Sequence, residues 1–147
     1  MKNMALLIDS NVVIDFLSVR EPNYRFASSI LEVCKLGEVR GYIAFHTLPT
    51  IWYTLRRNKP SERREMLLGI TGYLTVISVP HETVVEALLD MDFKDFEDCL
   101  QEKCAIAANV DYIVTENTRD FTASSIPAVT ALEMMKILCD MDGESSC

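Results

Sequence analysis

The sequence lacks the broad basic surface by which many proteins hold nucleic acid. Its 147 residues contain 14 Lys and Arg against 22 Asp and Glu, which gives a formal net charge of −8. Broad phosphate binding depends on Lys and Arg that displace counterions, so the composition disfavours a protein of that class. It does not exclude a nuclease that collects carboxylates around a metal, because the metal ion then supplies the positive charge that faces the phosphate.

Cysteine motifs and long apolar runs are also missing. The cysteines are odd in number and scattered without CxxC spacing, which indicates neither a disulfide framework nor a zinc site. We expect reduced thiols at Cys34, Cys99, Cys104, Cys139 and Cys147. The longest apolar stretches, residues 4–8 and 73–79, are too short to cross a bilayer, and no signal-peptide pattern opens the chain. These absences predict a cytoplasmic protein without membrane contact.

Apolar periodicity predicts alternating strands and helices. Residues 5–8 form a continuous apolar run ending at Asp9, which is typical of a strand buried on both faces. Further strands are predicted at residues 41–45, 74–79, 112–115 and 126–129, with helical spacing between them. Alternation of this kind implies right-handed βαβ crossovers. We therefore predict a three-layer α/β/α fold with a central, mainly parallel sheet, as one domain over residues 1–140 with a flexible tail at 141–147.

Acidic residues stand where such a sheet would collect them. Asp9 ends the first strand, Asp98 opens an alanine-rich helix three residues after Asp95, and Asp120 lies in the polar loop after the fourth main strand. Helix capping, the helix dipole and a solvated loop explain each acid singly. Function, however, gathers beyond the carboxyl ends of parallel strands. Converging carboxylates repel unless a cation separates them, and Mg²⁺ or Mn²⁺ prefers such oxygen ligands.

Three segments in order resemble the PIN-domain family, including the small prokaryotic ribonuclease toxins of VapC type. They read LLIDSNVVIDFL at residues 6–17, FEDCL at residues 96–100 and YIVTENTRDF at residues 112–121. The resemblance implies a parallel sheet flanked by helices and an acidic pocket for Mg²⁺ or Mn²⁺. It also implies hydrolysis of RNA by a metal-activated water, a homodimer and a cognate antitoxin protein.

The resemblance assigns roles by position. Asp9, Asp98 and Asp120 are similar to the family's catalytic metal ligands, and Asn117, the fourth predicted metal ligand, takes a place where another acid is common. The residues expected to support them are Ser10, Asn11, Thr50, Thr115, Glu97 and Glu116. Thr50 stands where the family usually has a glutamate. Because Thr50 and Asn117 are neutral, the sequence predicts weakened metal binding.

Two further features leave alternatives open. A basic patch contacts RNA phosphates or an acidic partner, or is a solvated turn; it comprises Arg56, Arg57, Lys59, Arg63 and Arg64. His46 follows the second strand and is either a proton carrier or a structural residue.

Three functions compete for this sequence. The first is a metal-dependent endoribonuclease that acts as the toxin of a toxin–antitoxin pair. The second is a degenerate PIN module that binds RNA or protein without catalysis, favoured by Thr50 and Asn117. The third, a phosphatase with a nucleophilic Asp9, fits less well because Asn11 occupies the place of the second acid that it needs.

Overall fold

The structure is a computed structural model that describes residues 3–143, which form five strands and seven α-helices. The first part comprises β1 (Ala5–Ile8), α1 (Ser10–Leu17), α2 (Tyr24–Lys35), β2 (Arg40–Ala44), α3 (Leu48–Thr54) and α4 (Pro60–Thr71). The second part comprises β3 (Leu74–Ile77), α5 (His81–Leu89), α6 (Phe96–Ala107), β4 (Tyr112–Val114), β5 (Ala128–Val129) and α7 (Ala131–Met141). Each predicted strand is present, with ends displaced by at most two residues.

The strands form one parallel sheet in the order β3-β2-β1-β4-β5. Side chains of the central strand β1 alternate between two apolar cores, as the period of two along a strand requires. Leu6 and Ile8 belong to the core shared with α1, α2 and α7, whereas Ala5 and Leu7 belong to the core shared with α5 and α6. Helices therefore cover both faces, and the predicted three-layer α/β/α fold is confirmed.

Helix α7 is the last element of the described part of the chain. Helix α7 runs to Met141, so the tail predicted at 141–147 begins inside the helix, and residues 144–147 lie outside the described part. Thr130 and Glu133 form a capping box that fixes the start of this helix. Among residues 3–143, no helix has the length and apolar character needed to span a membrane.

The prediction of reduced cysteines holds at three positions. Cys34, Cys99 and Cys104 are buried free thiols, and burial raises the pKa of Cys34 to about 12 and that of Cys104 to about 11. Since the thiolate is the reactive form, these side chains act as apolar filling. The prediction is wrong for Cys139, which is disulfide-bonded. Cys147 lies outside the described residues.

Gly41 in β2 occupies a position with no room for a side chain. A Cβ there would lie 2.5 Å from Leu74 Cδ2 and 2.8 Å from Cys34 Sγ, and both of those residues are buried. We expect Gly41→Ala to lower the free energy of unfolding by about 1–3 kcal/mol through overpacking, measured by urea denaturation. Gly69→Ala is the control, because a Cβ at Gly69 in α4 meets nothing within 4 Å. That variant should gain up to about 1 kcal/mol from helix propensity, and equal losses in the two variants would contradict the packing argument.

Candidate active site

Asp9 lies at the carboxyl end of β1 and is buried, with 7% of its surface exposed. Its backbone is extended and it is the N-cap of α1, with Oδ1 accepting a hydrogen bond from the Ser10 amide at 2.8 Å. The same oxygen accepts a second hydrogen bond from Gln101 Nε2 in α6 at 2.7 Å. Asp9 therefore caps a helix, and it also joins two helices that pack on opposite faces of the sheet.

The second oxygen of Asp9 is held from β4. Thr115 Oγ1 donates to Asp9 Oδ2 at 2.8 Å, and Asn11 Nδ2 approaches the same oxygen at 3.5 Å. Asn11 also donates to Thr115 Oγ1 at 3.2 Å and accepts from the Glu116 amide at 3.3 Å. The polar residues after β1 and β4 thus form one network around Asp9. Of the groups that donate to the Asp9 carboxylate, Asn11 Nδ2 is the most distant.

Burial and hydrogen bonding act on Asp9 in opposite directions. Burial raises the pKa of Asp9, and it outweighs the lowering by hydrogen bonds from Thr115, Ser10 and Gln101. The hydrogen bonds therefore do not fully offset the cost of burying the ionised carboxylate. A positive charge nearby would stabilise it further.

Asp98 lies near Asp9 at the start of α6, where several carboxylates meet. Asp95 is the N-cap of this helix, and its Oδ1 accepts from the Asp98 amide at 3.0 Å. The pKa of the half-buried Asp98 is raised to about 7, first by burial and then by the charges of Asp95, Asp120, Asp9 and Glu97. The carboxylates around Asp98 therefore carry negative charge that nearby basic side chains do not neutralise.

A cavity of about 250 Å³ opens beside Asp98, and we call it the acidic cleft. Four carboxylates line it, those of Asp92, Asp95, Asp98 and Asp120. The basic groups that line it are Lys94 and Arg119. Acids outnumber bases two to one, so the cleft favours a cation over an anion.

The other predicted site residues make different contacts, and they do not all face the acidic cleft. Asn117 is exposed and close to the network, since its amide donates to Thr115 Oγ1 at 3.0 Å. Glu97 is exposed, and its carbonyl lies 3.2 Å from His46 Nε2. Glu116, by contrast, turns away from the cleft, because its Oε1 accepts from the Ala131 amide of α7 at 3.4 Å. Thr50 is exposed on α3.

The predicted basic patch divides into two parts. Arg63 and Arg64 lie over the ring of Trp52, with centroid distances of 4.1 Å and 5.6 Å. Arg56 and Arg57 instead line a separate polar cavity of about 460 Å³ together with Arg20. Trp52 holds the first pair against the protein, and Arg56 is likewise held over the ring of Tyr53, with a centroid distance of 4.3 Å.

Gln101 belongs to the site although the sequence did not predict it there. It is buried with 1% exposure, and it lies on α6 three residues after Asp98. A residue three positions along a helix shares the face of the first. The place of this amide one helical turn after Asp98, on the same face of α6, was therefore the available signal.

The residues present fit a hydrated divalent cation. The groups around the cleft offer oxygen atoms, and Mg²⁺ typically binds through one or two carboxylates while keeping several waters. Among residues 3–143, no three His, Cys, Asp or Glu side chains already form a group that could hold a metal ion. The fit is therefore to an ion with few direct protein ligands, and a closed protein cage is not formed.

A model of the PIN domain matches residues 5–119 of the chain. The chain belongs to the PIN-domain family. The match to this PIN domain includes Asp9 and Asp98 and ends immediately before Asp120. A search of curated proteins found no match.

Several solved structures are similar to this PIN domain, and three of them are bacterial complexes. VapBC2 from Rickettsia felis, bound to a promoter DNA fragment, has a TM-score of 0.64 and 17% identity, and the alignment covers 86% of this chain and 98% of that chain. A toxin–antitoxin complex from Klebsiella pneumoniae has a TM-score of 0.63, 24% identity and coverage of 86% and 97%. VapBC-1 from nontypeable Haemophilus influenzae has a TM-score of 0.63, 17% identity and coverage of 88% and 99%. These similarities establish the fold of the PIN domain.

Proposed function

We propose that this PIN domain is a metal-dependent endoribonuclease and the toxin of a toxin–antitoxin pair. The observation that carries the proposal is the uncompensated charge around Asp98, whose pKa is raised by burial and by four neighbouring carboxylates. Like charges at short range disfavour ionisation, and a cation between them removes that penalty. A nuclease site of this kind needs such a cation, because its substrate is itself an anion.

In this proposal, four residues would contribute oxygen ligands to the metal ion. Asp98 and Asp120 would hold the ion from the acidic cleft, and Asp9 would approach it through Oδ2, the oxygen whose Asn11 contact is long. Asn117 offers a neutral amide oxygen from the neighbouring loop. When bound, Mg²⁺ or Mn²⁺ activates a water and stabilises charge that develops on the phosphate.

In this proposal His46 would handle a proton beside the site. Burial lowers the pKa of His46, so its imidazole is neutral at pH 7. With Nε2–H donating to the Glu97 carbonyl, Nδ1 is the atom that can accept a proton. A general base near the cleft must be neutral in this way before it can act.

The substrate would meet basic groups outside the acidic cleft. Arg20, Arg56 and Arg57 line one polar cavity together with Ser18, Thr54 and Asn58. Guanidinium groups contact phosphate oxygens without reading the base sequence. We assign this cavity to the RNA backbone.

The similar structures support an antitoxin partner for the chain. Two are called VapBC and a third is a toxin–antitoxin complex, and one VapBC complex is bound to promoter DNA. We propose that a small antitoxin protein binds this chain as well. The homodimer and the cytoplasmic location stay predictions.

The nuclease proposal is tested with labelled RNAs in Mg²⁺, in Mn²⁺ and in EDTA. We expect cleavage only with metal, and a loss of about tenfold or more in Asp120→Asn, since this acid would hold the ion. Asp140→Asn is the matched control, because Asp140 is an exposed acid on α7. Cleavage that persists in EDTA, or that falls equally in both variants, would contradict the proposal.

Two observations favour a second function. Asp9 takes donors on both oxygens, and the described residues hold no ready group of three metal-binding side chains. A degenerate PIN module that binds RNA or protein without catalysis would look the same. RNA binding without cleavage in either metal would favour this alternative.

A further inference from the structure

One buried atom near Asp9 has no hydrogen-bond partner. Gln101 Nε2 donates to Asp9 Oδ1 at 2.7 Å, yet Gln101 Oε1 is fully buried and, among the described residues, accepts nothing. An unpaired buried acceptor costs roughly 1–3 kcal/mol. The unpaired Gln101 oxygen is therefore unfavourable for the stability of the fold.

The orientation of the amide explains the arrangement. Turned the other way, Gln101 would bring an oxygen within 2.7 Å of Asp9 Oδ1, and two acceptors at that distance repel. The orientation that satisfies ionised Asp9 is thus the one that leaves Oε1 unpaired. An apolar side chain of similar length would leave no unpaired atom here, so the polar one is explained by Asp9.

We propose that Gln101 is a positioning residue that fixes the Asp9 carboxylate for metal binding, at no net gain to the stability of the fold. The inference rests on the proposed function. It assigns to Gln101 a role that its neighbour Glu102 does not have. Glu102 is also buried, with 5% exposure, but its Oε2 accepts from the Ser125 amide and contributes to the fold alone.

The test compares Gln101→Met with Glu102→Met, which place the same side chain at adjacent buried positions. Gln101→Met should keep its melting temperature, since the lost hydrogen bond and the removed unpaired acceptor offset each other. Its Mn²⁺ affinity, measured by electron paramagnetic resonance, should fall about 10- to 100-fold, as is usual when a residue that orients a ligand is lost. Glu102→Met should melt at a lower temperature and bind Mn²⁺ as the wild type does.

Two kinds of contrary result are possible, and they contradict different claims. If Gln101→Met loses as much stability as Glu102→Met, or binds Mn²⁺ like the wild type, Gln101 is a structural residue and the inference is wrong. If the wild type itself binds no Mn²⁺, the proposed function fails, and the inference fails with it.

Discussion

Asp98→Asn is expected to abolish measurable Mg²⁺ or Mn²⁺ binding and to lower RNA cleavage by about 100-fold or more, because it removes a carboxylate that we propose holds the ion. The same change should stabilise the metal-free protein. Asp98 is surrounded by carboxylates that, together with burial, raise its pKa from 3.8 to about 7. An asparagine of the same shape has no charge for them to repel.

The pH dependence of this gain has a defined sign. Because the pKa of Asp98 is higher in the folded state, the folded state binds the proton more tightly, and this acid destabilises the fold as pH rises from about 4 to 7. The melting temperatures of wild type and Asp98→Asn should therefore coincide below pH 4 and differ most above pH 7. A variant that melts below the wild type at pH 8 would contradict this account of the cleft.

Asp9→Ala should have the opposite effect on stability while also removing cleavage. Deleting the carboxylate leaves three close donors without an acceptor, from Ser10, Gln101 and Thr115. Buried unpaired donors of this kind cost roughly 1–3 kcal/mol each, offset in part by relief of the buried charge. We expect the free energy of unfolding to fall by about 2–4 kcal/mol, measured by urea denaturation at pH 7 without metal.

Asp98→Ala provides the matched comparison, since it deletes the same group from the same site. It should be at least as stable as the wild type, because the side chain of Asp98 is half-buried among like charges. Equal destabilisation of the two alanine variants would show that Asp9 has no special structural role. Full cleavage in either variant would overturn the assignment of that acid to the site.

The sequence predicted the fold and the neighbourhood of the acids for a physical reason. Parallel strands bring their carboxyl ends to one edge, so Asp9 after β1 and Thr115 after β4 had to lie close together. The proximity of Asp98 and Asp120 also follows from topology, because α6 leads directly into β4 and its loop. For these residues, place in the sequence determines place in the fold.

Side-chain direction could not be predicted in the same way. Glu116 was expected to support the metal site, yet its carboxylate turns to the first turn of α7, where free backbone amides attract it. Gln101 was overlooked because it stands beside Glu102 and Lys103, and the sequence does not show which of these polar side chains turns inward to Asp9. The disulfide at Cys139 was missed because scattered cysteines give no framework to read.

The three predicted site acids differ in how firmly the fold holds them, and this difference affects how relatives of this chain should be compared. We call Asp98 and Asp120, which line the acidic cleft, the rim acids. Asp9 is tied into the fold by its hydrogen bonds, whereas Asp98 and Asp120 stand beside open space. A lineage that lost nuclease activity would be free to replace the rim acids, and its protein would fold at least as well. It would still retain Asp9. An intact first aspartate is therefore a marker of the fold, and under the proposed function the rim acids are the better guide to which relatives retain the activity.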